Sequence, residues 1–333
     1  MKDLITLIVP LLDRHNYTRR VLLNLSEQLC ECKIIVADGS SHPFSFYFDS
    51  LNIDYFYNGY DAKISNYMNK MHNAMQRVET PLCMVFDNDD LLNIAGVHNG
   101  ISFMSKNKDY STYQNDVRPL YIEEEGIKID KEPLYNESSI EQEEPLERLR
   151  DVVGSFNSFN YAIFRTPICQ SYFEILNCLE NDDFQLFQKC WAYVSSIFGK
   201  CKRLQDSSYY YFIPGASVLQ GTGKVHKFSS WTNTKYWNNS CPMIVSIVGN
   251  LYERLYNKDI RRDFLEAFMR EVESKNGIDK CEKRYIDHTE SRSHEYDSKI
   301  NDVLSKYSFD CEDFEDIGKV QATHEDFITW LNT

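Results

Sequence analysis

Met84-Val85-Phe86-Asp87-Asn88-Asp89-Asp90-Leu91-Leu92 is the stretch that decides the fold of this chain. An apolar run ends abruptly in three carboxylates within four residues. A short apolar run with sharp bounds predicts a buried strand, here Leu82 to Phe86. Open α/β sheets bind ligands outside the carboxyl ends of their strands. Asp87, Asp89 and Asp90 are therefore expected at the mouth of such a sheet. Clustered carboxylates repel one another unless a cation relieves them. The pattern predicts a divalent metal, and the metal predicts a phosphate-bearing substrate. Mg²⁺ and Mn²⁺ favour such oxygen ligands, with a substrate diphosphate completing the shell. An EF-hand loop starting at Asp87 is excluded, because Leu92 stands where its Gly belongs and His98 where its Glu belongs. The competing reading is a solvated turn that caps the next helix.

The flanking pattern supports a sheet. Leu4 to Val9 reads as a buried strand stopped by Pro10. Tyr17, Val21, Leu25 and Leu29 recur at helical spacing. Lys33 to Ala37 is a second strand, ended by the turn-forming Asp38-Gly39-Ser40-Ser41, and Ile53 to Tyr57 a third. Ile64, Met68, Met71, Met75 and Val78 predict a helix broken by Thr80-Pro81. Strands alternating with helices predict βαβ units and a mostly parallel sheet. Residues 1–110 thus read as a nucleotide-binding half. Further on, Phe159 to Phe164 and Tyr209 to Ile213 read as strands, and 183–198 as a helix. From about residue 242 the pattern is helical, through Ile244, Ile247, Leu251 and Leu255, then Phe264, Phe268 and Val272. The expected division is 1–110, 111–235 and a helical region 236–333.

Composition narrows the function. The chain has 333 residues and a formal net charge of −14, which disfavours nucleic-acid binding. Residues 121–151 hold eleven acids and four bases, half of that charge, and read as an exposed acidic excursion. The apolar part of the N-terminus is too short for a signal peptide or a membrane span. The ten Cys then read as reduced thiols of a cytoplasmic protein, and Cys30-Glu31-Cys32 does not make a zinc spacing.

Two more strand ends carry candidate chemistry. Asp38 can accept from a base N–H or a ribose hydroxyl, as sheet-end acids do in dinucleotide folds. Asp13 and Arg14, after Pro10-Leu11-Leu12, would lie beside it, with Arg14 able to pair a phosphate. An ordinary turn and a surface ion pair are the alternatives. Gly221-Thr222-Gly223-Lys224 is not a P-loop, since Val225 follows the Lys and Val218 occupies the first Gly position.

Taken in order, Ile8-Val9-Pro10 with Asp13-Arg14, Val36-Ala37-Asp38-Gly39-Ser40-Ser41, and Thr80-Pro81 followed by Asp87-Asn88-Asp89-Asp90 resemble family-two glycosyltransferases of the GT-A fold. The resemblance covers about residues 1–230 and is nearest to the bacterial surface-polysaccharide branch. It implies an α/β GT-A fold, a Rossmann-like open mixed sheet with flanking helices, plus a C-terminal helical region. The implied activity is metal-dependent, inverting transfer of a sugar from a nucleotide diphosphate sugar to a hydroxyl of a surface glycan. A UDP-sugar is the favoured donor, a GDP-sugar the second, and Mn²⁺ or Mg²⁺ the metal. Pro10, Leu12, Asp13, Arg14 and Asp38 would hold the nucleoside. Asn69, Lys70 and Asn73 would face the donor, with Lys70 on a phosphate. Asp87-Asn88-Asp89 would be the D-x-D motif, with Asp89 ligating the metal directly and Asp87 shared between metal and ribose. Asp183, with Asp182 in reserve, would be the general base. Acids at a helix start are also favoured simply as caps. His226 would join the metal ligands, Lys224 or Lys227 would meet phosphate, and Trp231 would stack on an acceptor sugar or fill the core. Asp13 departs from the Asn common in the family. The C-terminal helices would dimerise or dock, and a lipid-linked acceptor would bring the enzyme to a membrane surface. A sugar nucleotidyltransferase would need a Gly-rich segment where Leu11-Leu12-Asp13-Arg14-His15 stands. A non-catalytic glycan- or nucleotide-sugar-binding scaffold is the other alternative.

Overall fold

A computed structural model of the chain describes residues 1–310, except 47, 124–125, 131, 135–137, 155–158, 214–230, 232–233 and 277–282, together with 314 and 316–318. Among these, one mixed sheet of nine strands runs through the protein. Its first half is built from β1 (Ile5–Leu11), β2 (Lys33–Asp38), β3 (Asn52–Tyr57) and β4 (Leu82–Val85). These are parallel in the order β3-β2-β1-β4. The connecting helices are α1 (His15–Glu27) and α2 (Ile64–Met75). A two-residue β5 (Leu91–Leu92) and α3 (Ile94–Lys106) follow the acid cluster. The second half adds β6 (Tyr110–Glu123), β7 (Gly126–Ile129), α4 (Pro145–Gly154), β8 (Ile163–Arg165), α5 (Thr166–Leu179), α6 (Phe184–Phe198) and β9 (Lys200–Ile213). Strand β8 pairs antiparallel with both β4 and β6, β9 lies parallel to β6, and β5 closes the edge antiparallel to β9.

The apolar runs are continuous because both faces of the first strands are covered. In β1, Leu7 and Val9 face one core with Val21, Leu25 and Ile101, whereas Ile8 faces the other with Met68 and Met71. Strand β2 alternates the same way, with Ile34 and Val36 on one side and Ile35 and Ala37 on the other. Strand β1 does not stop at Pro10. Its ladder with β4 ends at Ile8 opposite Val85, while its pairing with β2 continues to Leu11 opposite Asp38. The Ile8 carbonyl accepts from Phe86 on the β4 side, and polar groups two residues apart in a strand point the same way. The donor that proline lacks therefore faces a side where β4 has already ended. Leu29 is not on α1; it follows the helix at φ 53° and is exposed. The strand expected from Phe159 is also shorter, since 159–162 form a turn.

Residues 121–151 are not simply an excursion. They include the β6–β7 hairpin and the start of α4, whose Leu149 and Val152 are buried. Buried Arg148 donates to the carbonyls of Ser196, Gln142 and Glu143. Lys200 and Lys202 of β9 answer Glu143 and Glu141.

The C-terminal helices are α7 (Trp237–Tyr256), α8 (Arg261–Asn276), α9 (Lys283–Ser293) and α10 (Asp297–Leu304). Pro242 lies inside α7 and cannot serve the carbonyl of Asn238; Arg292 donates to that oxygen instead at 2.7 Å. Ile244, Ile247, Leu251, Phe264, Phe268 and Val272 share a core with α5 and α6. The apolar positions that suggested a dimer face are thus spent within the chain. Among the described residues no helix is long and apolar enough to cross a membrane, and the eight described cysteines are free thiols.

Candidate active site

The parallel strands end on one rim, and the acid cluster sits there. Asp87, Asp89 and Asp90 each offer a carboxylate oxygen, all within 4.8 Å of one another. Their surroundings give them different roles. Asp90 is fully buried; Tyr209 donates to one of its oxygens and the Phe212 N–H to the other, at 2.8 Å. It ties the acidic turn to β9 instead of capping α3, whose cap is Asn93. Burial, with the charges of Asp87 and Asp89, holds the Asp90 carboxyl well above the usual range. Asp87 accepts from the Tyr161 hydroxyl at 2.8 Å. Burial, with Asp89 adding, pushes its carboxyl up to about 6. Asn88 is buried and donates to Thr18 of α1 at 2.9 Å, so it holds the turn.

Helix α1 and its N-cap residue supply the opposing charge. Arg14 pairs with the Asp89 carboxylate, and Arg20 donates to the Asp89 backbone carbonyl. Arg20 lies 4.5 Å over the Phe212 ring and 5.2 Å over that of Tyr17. Arg14, at the N-cap of α1, and Tyr17 and Arg20 within the helix recur every three residues. That spacing was legible in the sequence and points to Arg20, which motif reading alone passed over.

Do these residues suit a divalent cation? Asp90 has both oxygens engaged by protein donors, which leaves Asp87 and Asp89 as a pair of hard oxygen ligands. Burial first, and then the neighbouring charge of Asp89, disfavour the ionised Asp87, and a cation bound between the two would offset both. The donor set fits Mg²⁺ or Mn²⁺.

The neighbouring strand ends are joined as expected, but several side chains do different work. Asp13, at φ 55°, donates its N–H to Ser40 and accepts from the Ser41 N–H and hydroxyl at 2.8 and 2.7 Å. This links the end of β1, Pro10 to Arg14, to the end of β2. Asp38 is fully buried and accepts from the N–H groups of Ser40 and Phe44 and from the Tyr55 hydroxyl. Its carboxylate shapes the loop after β2 and is not open to a nucleoside. Lys70 is 1% exposed, donates to the Leu11 carbonyl at 2.9 Å and pairs with buried Asp61 at 2.5 Å. It is consumed by the fold, so it does not reach a phosphate. Gly39 is required here: a Cβ on it would lie 2.2 Å from the Asp61 carboxylate. Asn69 and Asn73 form a surface amide cluster with Asn58, with Asn69 reaching Asn177.

The two acids before α6 also separate. Asp183 caps α6, accepting from the Gln185 N–H at 3.0 Å. Its other oxygen accepts from Trp231 Nε1 at 2.7 Å and from Ser240 Oγ at 2.5 Å. It is 3% exposed. Trp231 is fully buried against Trp237, so it fills core and does not face a sugar. Asp182 accepts from the Ser65 N–H at 2.9 Å, at the start of α2, with Lys63 at 4.0 Å. Its side chain is 35% exposed. Tyr67, two residues along α2, is close enough to Asp87 for that charge to add to the burial that raises its hydroxyl pKa. His226, Lys224 and Lys227 lie outside the described residues.

No family model matches the chain. No curated protein matches it either. Solved structures do. S. aureus TarS 1–349 superposes with a TM-score of 0.52 at 13% identity, over 92% of each chain. The chain has a TarS-like GT-A fold. The same TarS fragment in complex with UDP-GlcNAc gives a TM-score of 0.50, again at 13% identity and 92% of each chain. Against the longer TarS structure, the chain spans 55% of that protein's length at 14% identity and a TM-score of 0.47.

Proposed function

We propose that this protein is a metal-dependent glycosyltransferase that moves a sugar from a nucleoside diphosphate sugar to a hydroxyl of a bacterial surface glycan. The observation that carries this reading is the set Asp87, Asp89 and Arg14, gathered at the carboxyl ends of β1 and β4. The TarS-like fold supports it, and TarS binds UDP-GlcNAc; a UDP-sugar is accordingly the proposed donor. Asp87 and Asp89 would hold Mn²⁺ or Mg²⁺. Bound there, the ion supplies Lewis-acid stabilisation of the leaving diphosphate. Arg14, now on Asp89, is within reach of the same charge and would share the phosphate.

Transfer is a direct displacement with inversion. The acceptor oxygen bonds to the anomeric carbon, the bond from that carbon to the diphosphate breaks, and the acceptor proton passes to a carboxylate. Asp182 replaces Asp183 as the proposed base. A base needs an oxygen open to the acceptor, and Asp183 spends both of its oxygens on buried donors.

The test is a panel of UDP-, GDP- and dTDP-sugars with Mn²⁺ or Mg²⁺ and oligosaccharide acceptors. A UDP-sugar is expected to be consumed, with EDTA abolishing turnover and Asp89→Ala lowering it sharply. Failure of every donor, with no thermal stabilisation by UDP and Mn²⁺, would overturn the reading in favour of a scaffold.

A further inference from the structure

Tyr161 has no place in the roles above, and its backbone is strained. Its φ is 65°, a region that residues with bulky side chains rarely adopt. The preceding residue is Asn160, a type that accepts this conformation more readily, yet the strain falls on the tyrosine. Strained backbone persists where the surroundings over-determine it, and it gathers at functional sites.

The surroundings of Tyr161 are unusually directive. Its ring stacks on Tyr209, with centroids 4.1 Å apart and planes at 15°. Its hydroxyl donates to Asp87 Oδ2 at 2.8 Å. The Tyr209 hydroxyl accepts from the Asp87 N–H at 3.2 Å and donates to Asp90. Two stacked rings, one from the turn before β8 and one from β9, thus deliver their hydroxyls to neighbouring acids of one turn. Tyr209 uses up Asp90. The Tyr161 hydroxyl meets the carboxylate of Asp87, which lies beside Asp89.

We propose that Tyr161 is a positioning residue for the cation, its hydroxyl holding the Asp87 carboxylate in one orientation beside Asp89. The inference rests on the metal site proposed above. Hydrogen-bond partners of metal-binding carboxylates orient them, and losing one typically costs about ten- to a hundredfold in affinity.

The test is Mn²⁺ binding to the full chain in the presence of UDP, followed by the electron-paramagnetic signal of free Mn²⁺. Tyr161→Phe keeps the ring stack and removes only the hydroxyl. It is expected to melt with the parent and to bind Mn²⁺ about tenfold more weakly, while binding UDP alone unchanged. Tyr161→Asn relieves the backbone and removes the ring; it is expected to weaken Mn²⁺ at least as much. If the parent binds Mn²⁺ and Tyr161→Phe binds it equally well, the positioning role is overturned and the metal site stands. If the parent binds no Mn²⁺, both fall.

Discussion

Asp182 and Asp183 are adjacent, and the structure predicts opposite phenotypes for them. Asp183→Ala removes the acceptor for three donors at a site that is 3% exposed. Loss of the cap on α6 costs about 1 kcal/mol. The Trp231 N–H and the Ser240 hydroxyl lose a charged partner in a dry core, each at roughly 1.5–3 kcal/mol. Ser240 can rotate and recover part of this, and neighbouring effects do not add fully. The expected loss is on the order of 4 kcal/mol, a large share of the roughly 5–15 kcal/mol that holds a typical protein folded. At roughly 2 °C per kcal/mol for a chain of this size, Asp183→Ala should melt about 8 °C below the parent. Asp182→Asn keeps an oxygen for the Ser65 N–H on a side chain 35% exposed. Its stability should stay within about 1 kcal/mol of the parent. Its transfer rate should fall by about 10²–10⁴, the usual contribution of a general base. Differential scanning fluorimetry and donor-consumption kinetics, run on the same preparations, measure both. An Asp183→Ala protein that melts within about 2 °C of the parent would refute the argument from a saturated carboxylate. An Asp182→Asn protein with full turnover would remove Asp182 as the base.

Two further outcomes are expected. Lys70→Met leaves Asp61 charged and buried beneath the strand ends, and breaking a buried pair from one side costs about 3–5 kcal/mol; urea unfolding checks this, and a loss below about 1 kcal/mol would mean that Lys70 is not committed to Asp61. Burial opposes ionisation of Asp297, but Asn250, Ser246, His294 and Arg261 outweigh it and hold its carboxyl below the usual range. Its contribution to stability is therefore present above the unfolded pKa of about 4 and is lost as pH falls through the lower folded value. Asp297→Asn should flatten that acid limb of the stability–pH curve, and an unchanged acid limb would contradict the assignment.

The legible part of the fold was its parallel half. Both faces of β1, β2 and β4 are buried, so their apolar runs are continuous, and the residues that end them are turn formers or charges. What misled at Pro10 was a rule about interior strands. Whether a missing N–H matters depends on where the neighbouring strand stops, and that is set by β4, some seventy residues away. The acids of 121–151 masked a hairpin and a helix because net charge reports the solvent face, whereas Leu149 and Val152 sit on the other side.

The sequence by itself determined where the chemistry would gather. Asp87 to Asp90, Asp13-Arg14 and Asp38 all fall at carboxyl ends of parallel strands, and strand direction alone sends those ends to one rim. Which of these side chains can meet a ligand was decided only by the tertiary structure. Asp38, Lys70, Asp90 and Asp183 have the right chemistry in the right place. Each is taken out of use by donors or acceptors outside its own motif, from nine to 119 residues away: Asp61 for Lys70, Tyr55 for Asp38, Trp231 and Ser240 for Asp183, Tyr209 for Asp90. A motif specifies a charged group and its approximate position. Whether that charge stays available depends on which buried polar groups need it as a partner, and contacts at such separations leave no mark on the local pattern.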